Sequence, residues 1–416
     1  MMILEEVREK YPEFIYEGFE IKYEGESLII NFDFKVSGDF TFRPKIVFPN
    51  VSPHSKWEGR LDNLIFNLGM VELLSYWKAV CSPQIVIKAG YLSKEQIKFW
   101  KKLLLKGLGE FFYNNKIDFT KKDLVEFTIQ PSRLQAKVDA SEQLLKERDL
   151  ILIGGGKDSA VTLEQISKSG KEFNCLMLNP TKAVLAIAKI SGCKNPIIIK
   201  RTIDPKLLEL NKKGYLNGHT PFSAYLAFLG TLAGVLYDYK NIVVSNEVSS
   251  DEENILWMGQ EINHQYSKTS EFEKDFRSYS EKYLTASTNY FSFLRDKGEL
   301  EISRLFARMP KYHKLFRSCN KGSKQGVWCG ECPKCISTYL TLYPFLGSET
   351  QKIFGKDLLS DESLIPIVKQ LLRENNVAKP FECVATVAEI KNAISLGRER
   401  AEKEGGEIPK VLRINV

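Results

Sequence analysis

The sequence predicts an α/β protein built on a doubly wound parallel sheet, with an N-terminal α+β domain and a four-cysteine metal-binding segment. Three observations carry this. From Leu150 to Ser245 short apolar runs alternate with helix-length segments, the pattern of parallel strands joined by crossover helices. Within it, the strand Asp149-Leu150-Ile151-Leu152-Ile153 runs straight into the turn Gly154-Gly155-Gly156-Lys157-Asp158-Ser159. Four of the eight cysteines fall between residues 319 and 335.

Taken in order, residues 12–49 hold short runs of apolar and polar residues in alternation, among them Phe14-Ile15-Tyr16, Phe19–Tyr23 and Leu28–Phe34. Glu-Gly and Ser-Gly turns separate them, so an antiparallel β module opens the chain. The period then lengthens. Ser93 and Gln96 spell a capping box, with Leu92 and Ile97 as its hydrophobic staple, so a helix starts there. Polar residues 128–147, with Pro131 and a charged helix from Ala140, form the connection onward. Beyond it the sequence predicts strands at 150–153, 175–178, 196–199 and 241–245, with helices from Lys157, at 182–190 and at 223–237. In such sheets ligands bind beyond the carboxyl ends of the strands, which is where Gly154–Ser159 and Asn246-Glu247 fall. The expected domains are 1–140, 141–345 and a helical extension, 346–416. The tail after Lys379 is charged and helix-prone and presents no evident chemistry.

With 416 residues, 43% hydrophobic and 27% charged, the chain reads as an ordinary globular protein. The net charge of +7 is spread along it and suits an anionic small molecule as well as nucleic acid. Glu5, Glu6, Arg8 and Glu9 argue against a secretory signal, so a cytoplasmic location is expected. The apolar stretch from Ala224 is too short for a bilayer and reads as a buried helix.

A triple glycine closed by Lys157, Asp158 and Ser159 is suited to hold phosphate. Glycines turn several backbone N–H groups toward one anion, and the helix that follows adds its dipole. A Walker loop is excluded because Asp158 follows the lysine, and no G-x-G-x-x-G fits. An ordinary glycine turn is the plainer alternative. The run resembles the SGGxDS loop of the PP-loop ATP pyrophosphatases, with Gly154 where that loop has serine. The resemblance implies a sheet of PP-loop, adenine nucleotide α-hydrolase-like, type and cleavage of ATP to AMP and pyrophosphate.

The cysteines are spaced Cys319-x9-Cys329-x2-Cys332-x2-Cys335. Four thiolates at such spacing close a tetrahedral shell and leave no open position, so structural zinc is the reading, with an iron–sulfur cluster as alternative. The segment also looks like the zinc-binding tail of PP-loop enzymes that make 7-cyano-7-deazaguanine. Cys81, Cys175, Cys193 and Cys383 sit among apolar neighbours and read as core.

Further phrases run the length of the chain: Tyr76–Val80, Leu108-Gly109-Glu110-Phe111, Asn217-Gly218-His219-Thr220-Pro221, Ser245-Asn246-Glu247, Asn263–Lys268 and Lys379–Cys383. This set resembles the MurL-type UDP-N-acetylmuramoyl-L-alanyl-L-glutamate epimerases. The resemblance implies ATP- and Mg2+-dependent inversion of a terminal L-glutamate in a UDP-muramyl dipeptide, with no membrane partner and no nucleic acid. Gly154, Gly155, Gly156, Lys157, Asp158 and Ser159 would hold the nucleotide, with Asp158 toward the magnesium. His219, Glu247 and Lys157 are the catalytic candidates, His219 as base because an imidazole titrates near neutrality. A loop-capping role is the alternative for His219. Asn217, Asn246, His264 and Lys268 are candidates for the substrate. Arg308, Lys311, Lys314 and Arg317 form a basic run at near-helical spacing that suits a diphosphate, or simply a solvated helix face. A PP-loop enzyme modifying a nucleobase or transfer RNA is the alternative function.

Overall fold

Alternating side chains build one sheet that runs through both halves of the chain. In a computed structural model the described residues are 4–38, 40–51, 61–130, 144–322 and 325–416. The strands are β1 (Glu13–Glu24), β2 (Ser27–Val36), β3 (Phe40–Phe42), β4 (Lys45–Phe48), β5 (Gln84–Ile87), β6 (Glu126–Ile129) and β7 (Asp149–Leu152), followed by β8 (Phe173–Leu178), β9 (Ile197–Thr202), β10 (Asn241–Glu247), β11 (Ile255–Trp257), β12 (Gln260–Ile262) and β13 (Asn289–Leu294).

Five of them, in the order β9-β8-β7-β10-β13, are parallel. The expected parallel strands are all present, and β13 is a fifth that pattern reading did not supply. The antiparallel opening module is also present as β1 to β4. Phe14–Tyr16 and Phe19–Tyr23 are one long strand, β1, rather than two runs, because a bulge between Tyr16 and Gly18 shifts the register and keeps both runs on β2. β5 and β6 extend this module in parallel.

The halves meet where β4 pairs antiparallel with β9, Ile46 opposite Arg201. The Arg201 guanidinium crosses this seam to the helix Asp62–Trp77 and grips both carboxylate oxygens of the buried Glu72, at 2.8 and 2.9 Å. The mixed, eleven-stranded sheet that results is parallel-rich rather than parallel throughout.

Side chains on successive residues of β7, β8 and β10 enter opposite cores. Leu150, Leu152, Leu176, Ile242 and Val244 face a layer containing Asp62–Trp77, Lys94–Gly107, Phe222–Tyr237 and Ser270–Tyr283. Ile151, Ile153, Cys175, Met177 and Val243 face Lys157–Lys168, Lys182–Ile190, Glu299–Ala307, Pro333–Leu346 and Val387–Lys403. This half is therefore wound on both faces. Ser93 and Gln96 form the expected capping box. Phe222–Tyr237 is the buried helix expected from its composition, and it lies so close to β10 that a Cβ at Gly230 or Gly234 would fall 2.7 or 2.6 Å from Ile242. The helix expected from Ala140 begins outside the described residues, and Leu144–Arg148 carry none. Among the described residues no helix is long and apolar enough to cross a membrane.

Neutralising Glu72 leaves the Arg201 charge uncompensated across the seam. Glu72→Gln should lower the unfolding free energy by about 3–5 kcal/mol, read as an earlier urea midpoint. An unchanged midpoint would show that the seam does not depend on this pair.

Candidate active site

At the carboxyl end of β7 the chain enters the glycine turn. Gly155 takes a φ of +82°, where a Cβ would also meet Val184 at 2.9 Å, so only glycine fits there. Gly154 N–H donates to Ser159 Oγ at 3.1 Å, and Gly156 caps the helix Lys157–Lys168. The buried Lys157 ammonium donates to Asp158 at 2.5 Å and to Glu299 at 2.7 Å. Burial opposes its charge, but Asp158, Glu299 and Glu247 outweigh that and raise its proton affinity above the ordinary lysine value.

Glu247 ends β10, and Glu299 opens the helix that follows β13. With Asp158 they bring carboxylate oxygens within 4.8 Å of one another. Burial works against charge on both glutamates. Lys157 and Lys334 nevertheless hold Glu299 ionised, at about 2, whereas burial and the facing Glu299 and Asp158 push Glu247 well above the carboxylate range. Glu247 Oε2 and Glu299 Oε1 are buried without a hydrogen-bond partner among the described residues, the Lys334 ammonium standing 3.8 Å from Glu299 Oε1. Hard oxygen donors with unspent lone pairs fit a divalent cation of the magnesium type.

A second cluster gathers groups from several segments. Glu110, in the helix Gly109–Asn115, accepts from His264 Nδ1 at 2.6 Å and lies 3.7 Å from His219 Nδ1. The two imidazoles stand 4.2 Å apart between ring centres. Asn217 Oδ1 caps Gly218 N–H at 2.8 Å, and Gly218 C=O accepts from the Lys78 ammonium. Asn217 thus shapes the loop that delivers His219. Burial, aided by His264 and Lys78, drives the proton affinity of His219 down to about 2, so this ring is neutral. Burial also lowers Lys78 to about 8.

Lys268 donates to Cys383 Sγ at 3.0 Å and reaches Gln265 Oε1 at 3.5 Å. Cys383 is therefore not a core thiol: it joins the polar array and also hydrogen-bonds His264. Cys81, Cys175 and Cys193 are buried as expected. Burial raises a thiol, but Lys268 and His264 outweigh it and hold Cys383 down at about 5. His264, against the same burial, is raised to about 9 by Cys383 and Glu110. Burial works against the charge of Lys268, which Cys383 and Asp158 support, so this residue faces both clusters. Asn246 precedes Glu247 on β10.

The basic run does not form one helix face. Arg308 caps the end of Glu299–Ala307 and Pro310 starts a separate short helix, Pro310–His313, since proline cannot continue the first. Lys311 pairs with Glu164 at 2.7 Å, and the Arg317 guanidinium donates to Gly326 C=O and Phe316 C=O.

Cys319, Cys329, Cys332 and Cys335 converge, with Sγ separations of 3.9, 3.7 and 3.5 Å for the pairs 319–332, 329–335 and 332–335. Four sulfurs around zinc at about 2.3 Å stand about 3.8 Å apart, so the set fits a metal such as zinc. The cluster is tied to the glycine turn through Arg317 N–H to Gly155 C=O at 3.0 Å. It is tied to the tail through Lys334 N–H to Glu382 at 2.7 Å.

Glu299, Glu110, Lys78 and Cys383 were not assigned roles from sequence. Glu299 follows the unrecognised fifth strand, and the other three lay inside phrases already singled out.

Two family models match the chain: the MurL N-terminal domain over residues 5–293 and the MurL C-terminal domain over 315–415. Three relatives carry the name UDP-N-acetyl-alpha-D-muramoyl-L-alanyl-L-glutamate epimerase. The Micromonospora sp. protein is 33% identical, across 93% of this chain and 87% of its own. The Salinispora tropica protein is 33% identical across 91% and 82%, and that of Xanthomonas oryzae pv. oryzae 34% across 83% and 77%.

The sulfur geometry predicts one zinc ion per chain on elemental analysis. Cys332→Ser should release it and lower the thermal midpoint, since structural zinc contributes binding free energy on the order of 10 kcal/mol. A metal-free protein of full stability would contradict the assignment, and iron with sulfide would replace zinc by a cluster.

Proposed function

The chain belongs to the MurL family of epimerases, and on that premise we propose that it inverts the terminal L-glutamate of UDP-MurNAc-L-Ala-L-Glu by ATP-dependent adenylation, giving the D-glutamate product for peptidoglycan synthesis in the cytoplasm. The observation that supports this most is the convergence of two side-chain clusters on Lys268. A glycine turn of PP-loop character and three carboxylates stand on one side of Lys268, and an array of proton-transfer groups stands on the other.

The need for ATP follows from elementary chemistry. An α-hydrogen beside a carboxylate is very weakly acidic, because its removal places a second negative charge next to the first. Adenylation removes the first charge and gives the electron pair a carbonyl to enter. In the proposed reaction the carboxylate oxygen attacks the α-phosphorus and displaces pyrophosphate. The α-carbon then loses and regains a proton on opposite faces, and water cleaves the acyl adenylate to the D-residue and AMP.

Gly154, Gly155, Gly156 and Ser159 would cradle the phosphates, while Lys157 exchanges part of its pairing with Asp158 and Glu299 for phosphate oxygens. Asp158, Glu247 and Glu299 would hold Mg2+, which when bound neutralises phosphate charge and orients the pyrophosphate leaving group. Lys268 and His264 would bind the glutamyl end, and His219 would exchange a proton with it. Asn217 and Asn246 would line the dipeptide, and Arg308 and Arg317 the UDP diphosphate. Zinc at the cysteine cluster would pin the Cys319–Cys335 segment.

With this dipeptide, ATP and Mg2+ in deuterated water, the product should carry deuterium at the α-carbon, with AMP and pyrophosphate formed together. Lys157→Ala should reduce pyrophosphate release by roughly 100-fold or more, and chelation of Mg2+ should stop it. Inversion without ATP would refute the proposal.

His219→Ala should keep adenylate formation and lose about 10²- to 10⁴-fold in exchange if the imidazole handles the proton. Exchange at the parental rate would remove His219 from the chemistry.

A further inference from the structure

We infer that Cys383 is a catalytic proton carrier of the inversion, its sulfur exchanging the α-hydrogen of the activated glutamyl residue; this rests on the epimerase reading above. Three observations carry it. Both neighbours that reach Sγ are donors: the Lys268 ammonium at 3.0 Å and the His264 imidazole, itself braced by Glu110 at 2.6 Å. A sulfur surrounded by charged donors is stabilised as the thiolate, the form that accepts protons. With the Lys78 ammonium acting on His219 and that of Lys268 on Cys383, the array disfavours a cation, which separates it from the three carboxylates.

The segment that carries Cys383 is also fixed from three sides. The buried Asn254 donates from Nδ2 to Pro380 C=O at 2.7 Å and accepts from His264 N–H at 2.8 Å through Oδ1. One amide thereby holds the tail against the histidine loop. Lys379 N–H donates to Asn254 C=O at 2.9 Å, its ammonium reaches Glu252, and Glu382 caps the helix Pro333–Leu346 at Lys334 N–H. Together these bonds hold the segment of Cys383 against the histidine loop and the helix Pro333–Leu346.

Finally, Lys268 feels Asp158 as well as Cys383. The carrier thus stands one cation away from the cluster where activation would occur. In the step itself the Cα–H bond breaks and its proton passes to Sγ, while the bonding pair moves into the adjacent acyl carbonyl as an enolate. A proton drawn from solvent and delivered through the second carrier, for which His219 is the candidate, to the opposite face of Cα lets that pair return, leaving the inverted acyl adenylate. The Cys383 thiol then returns its proton to solvent through its donor neighbours. No net oxidation occurs.

The test uses the full-length protein and its Cys383→Ala and Cys383→Ser variants with the L- and D-glutamyl dipeptides, ATP and Mg2+ in deuterated water. Both variants should form AMP and pyrophosphate within a few-fold of the parent and lose inversion by about 10²-fold or more. They should retain wash-out of the α-hydrogen from one epimer only, the one whose hydrogen faces the other proton carrier. Inversion near the parental rate, parallel loss of AMP formation, equal loss of wash-out from both epimers, or an acyl group trapped on Cys383 would each overturn the assignment. A parent protein that forms no AMP would instead defeat the epimerase reading itself.

Alkylation by iodoacetamide, mapped to Cys383 in the parent protein, tests the sulfur without turnover. Its midpoint should lie below pH 7 and rise in Lys268→Met. A midpoint at the ordinary thiol value of about 8.5 would overturn the proposal even if the variants failed to fold.

Discussion

A partly buried ammonium group must meet negative charge around it, and the arrangement around Lys268 answers that requirement. Left unpaired, a charge taken from water costs several kcal/mol. Lys268 is matched by the Cys383 sulfur at 3.0 Å and by the field of Asp158. Its own carbonyl accepts from Ser250 Oγ and Arg295, the two groups that also hold the Glu247 carbonyl. The end of β10 and the turn at 266–268 are therefore one rigid unit. The C-terminal tail meets this unit where Cys383 accepts from Lys268.

The cysteine cluster has the complementary task. It reaches the glycine turn through Arg317 and Gly155 and the tail through Lys334 and Glu382. A metal held there would fix the distance between the proposed phosphate cradle and Cys383 without touching either substrate. The seam between β4 and β9 does the same from the other side: it locks the N-terminal half, which supplies Lys78 and Glu110, against the half that supplies the histidines.

What could be read from sequence was local. The glycine turn, the cysteine cluster, the capping box at Ser93 and the alternation in β1, β2, β7 and β10 all express themselves within at most seventeen consecutive residues. The pairing of β4 with β9 joins residues more than a hundred positions apart and has no local signature. β13 escaped because Asn289-Tyr290-Phe291-Ser292-Phe293-Leu294 is short and follows the polar helix Ser270–Tyr283, and with it went Glu299. Cys383 reads as apolar because Phe381 and Val384 stand near it in sequence, whereas its charged partners come from residues 264 and 268. The spacing of Arg308, Lys311, Lys314 and Arg317 suggested a helix that Pro310 interrupts.

The central claim is that a carboxylate is activated as an acyl phosphate ester before the α-carbon inverts. It is tested most directly with dipeptide substrate labelled by oxygen-18 in its terminal carboxylate and with unlabelled ATP. If the carboxylate oxygen attacks the α-phosphorus and water later attacks the acyl carbon, one labelled oxygen must appear in the AMP as D-product accumulates. Inversion accompanied by unlabelled AMP would contradict the account.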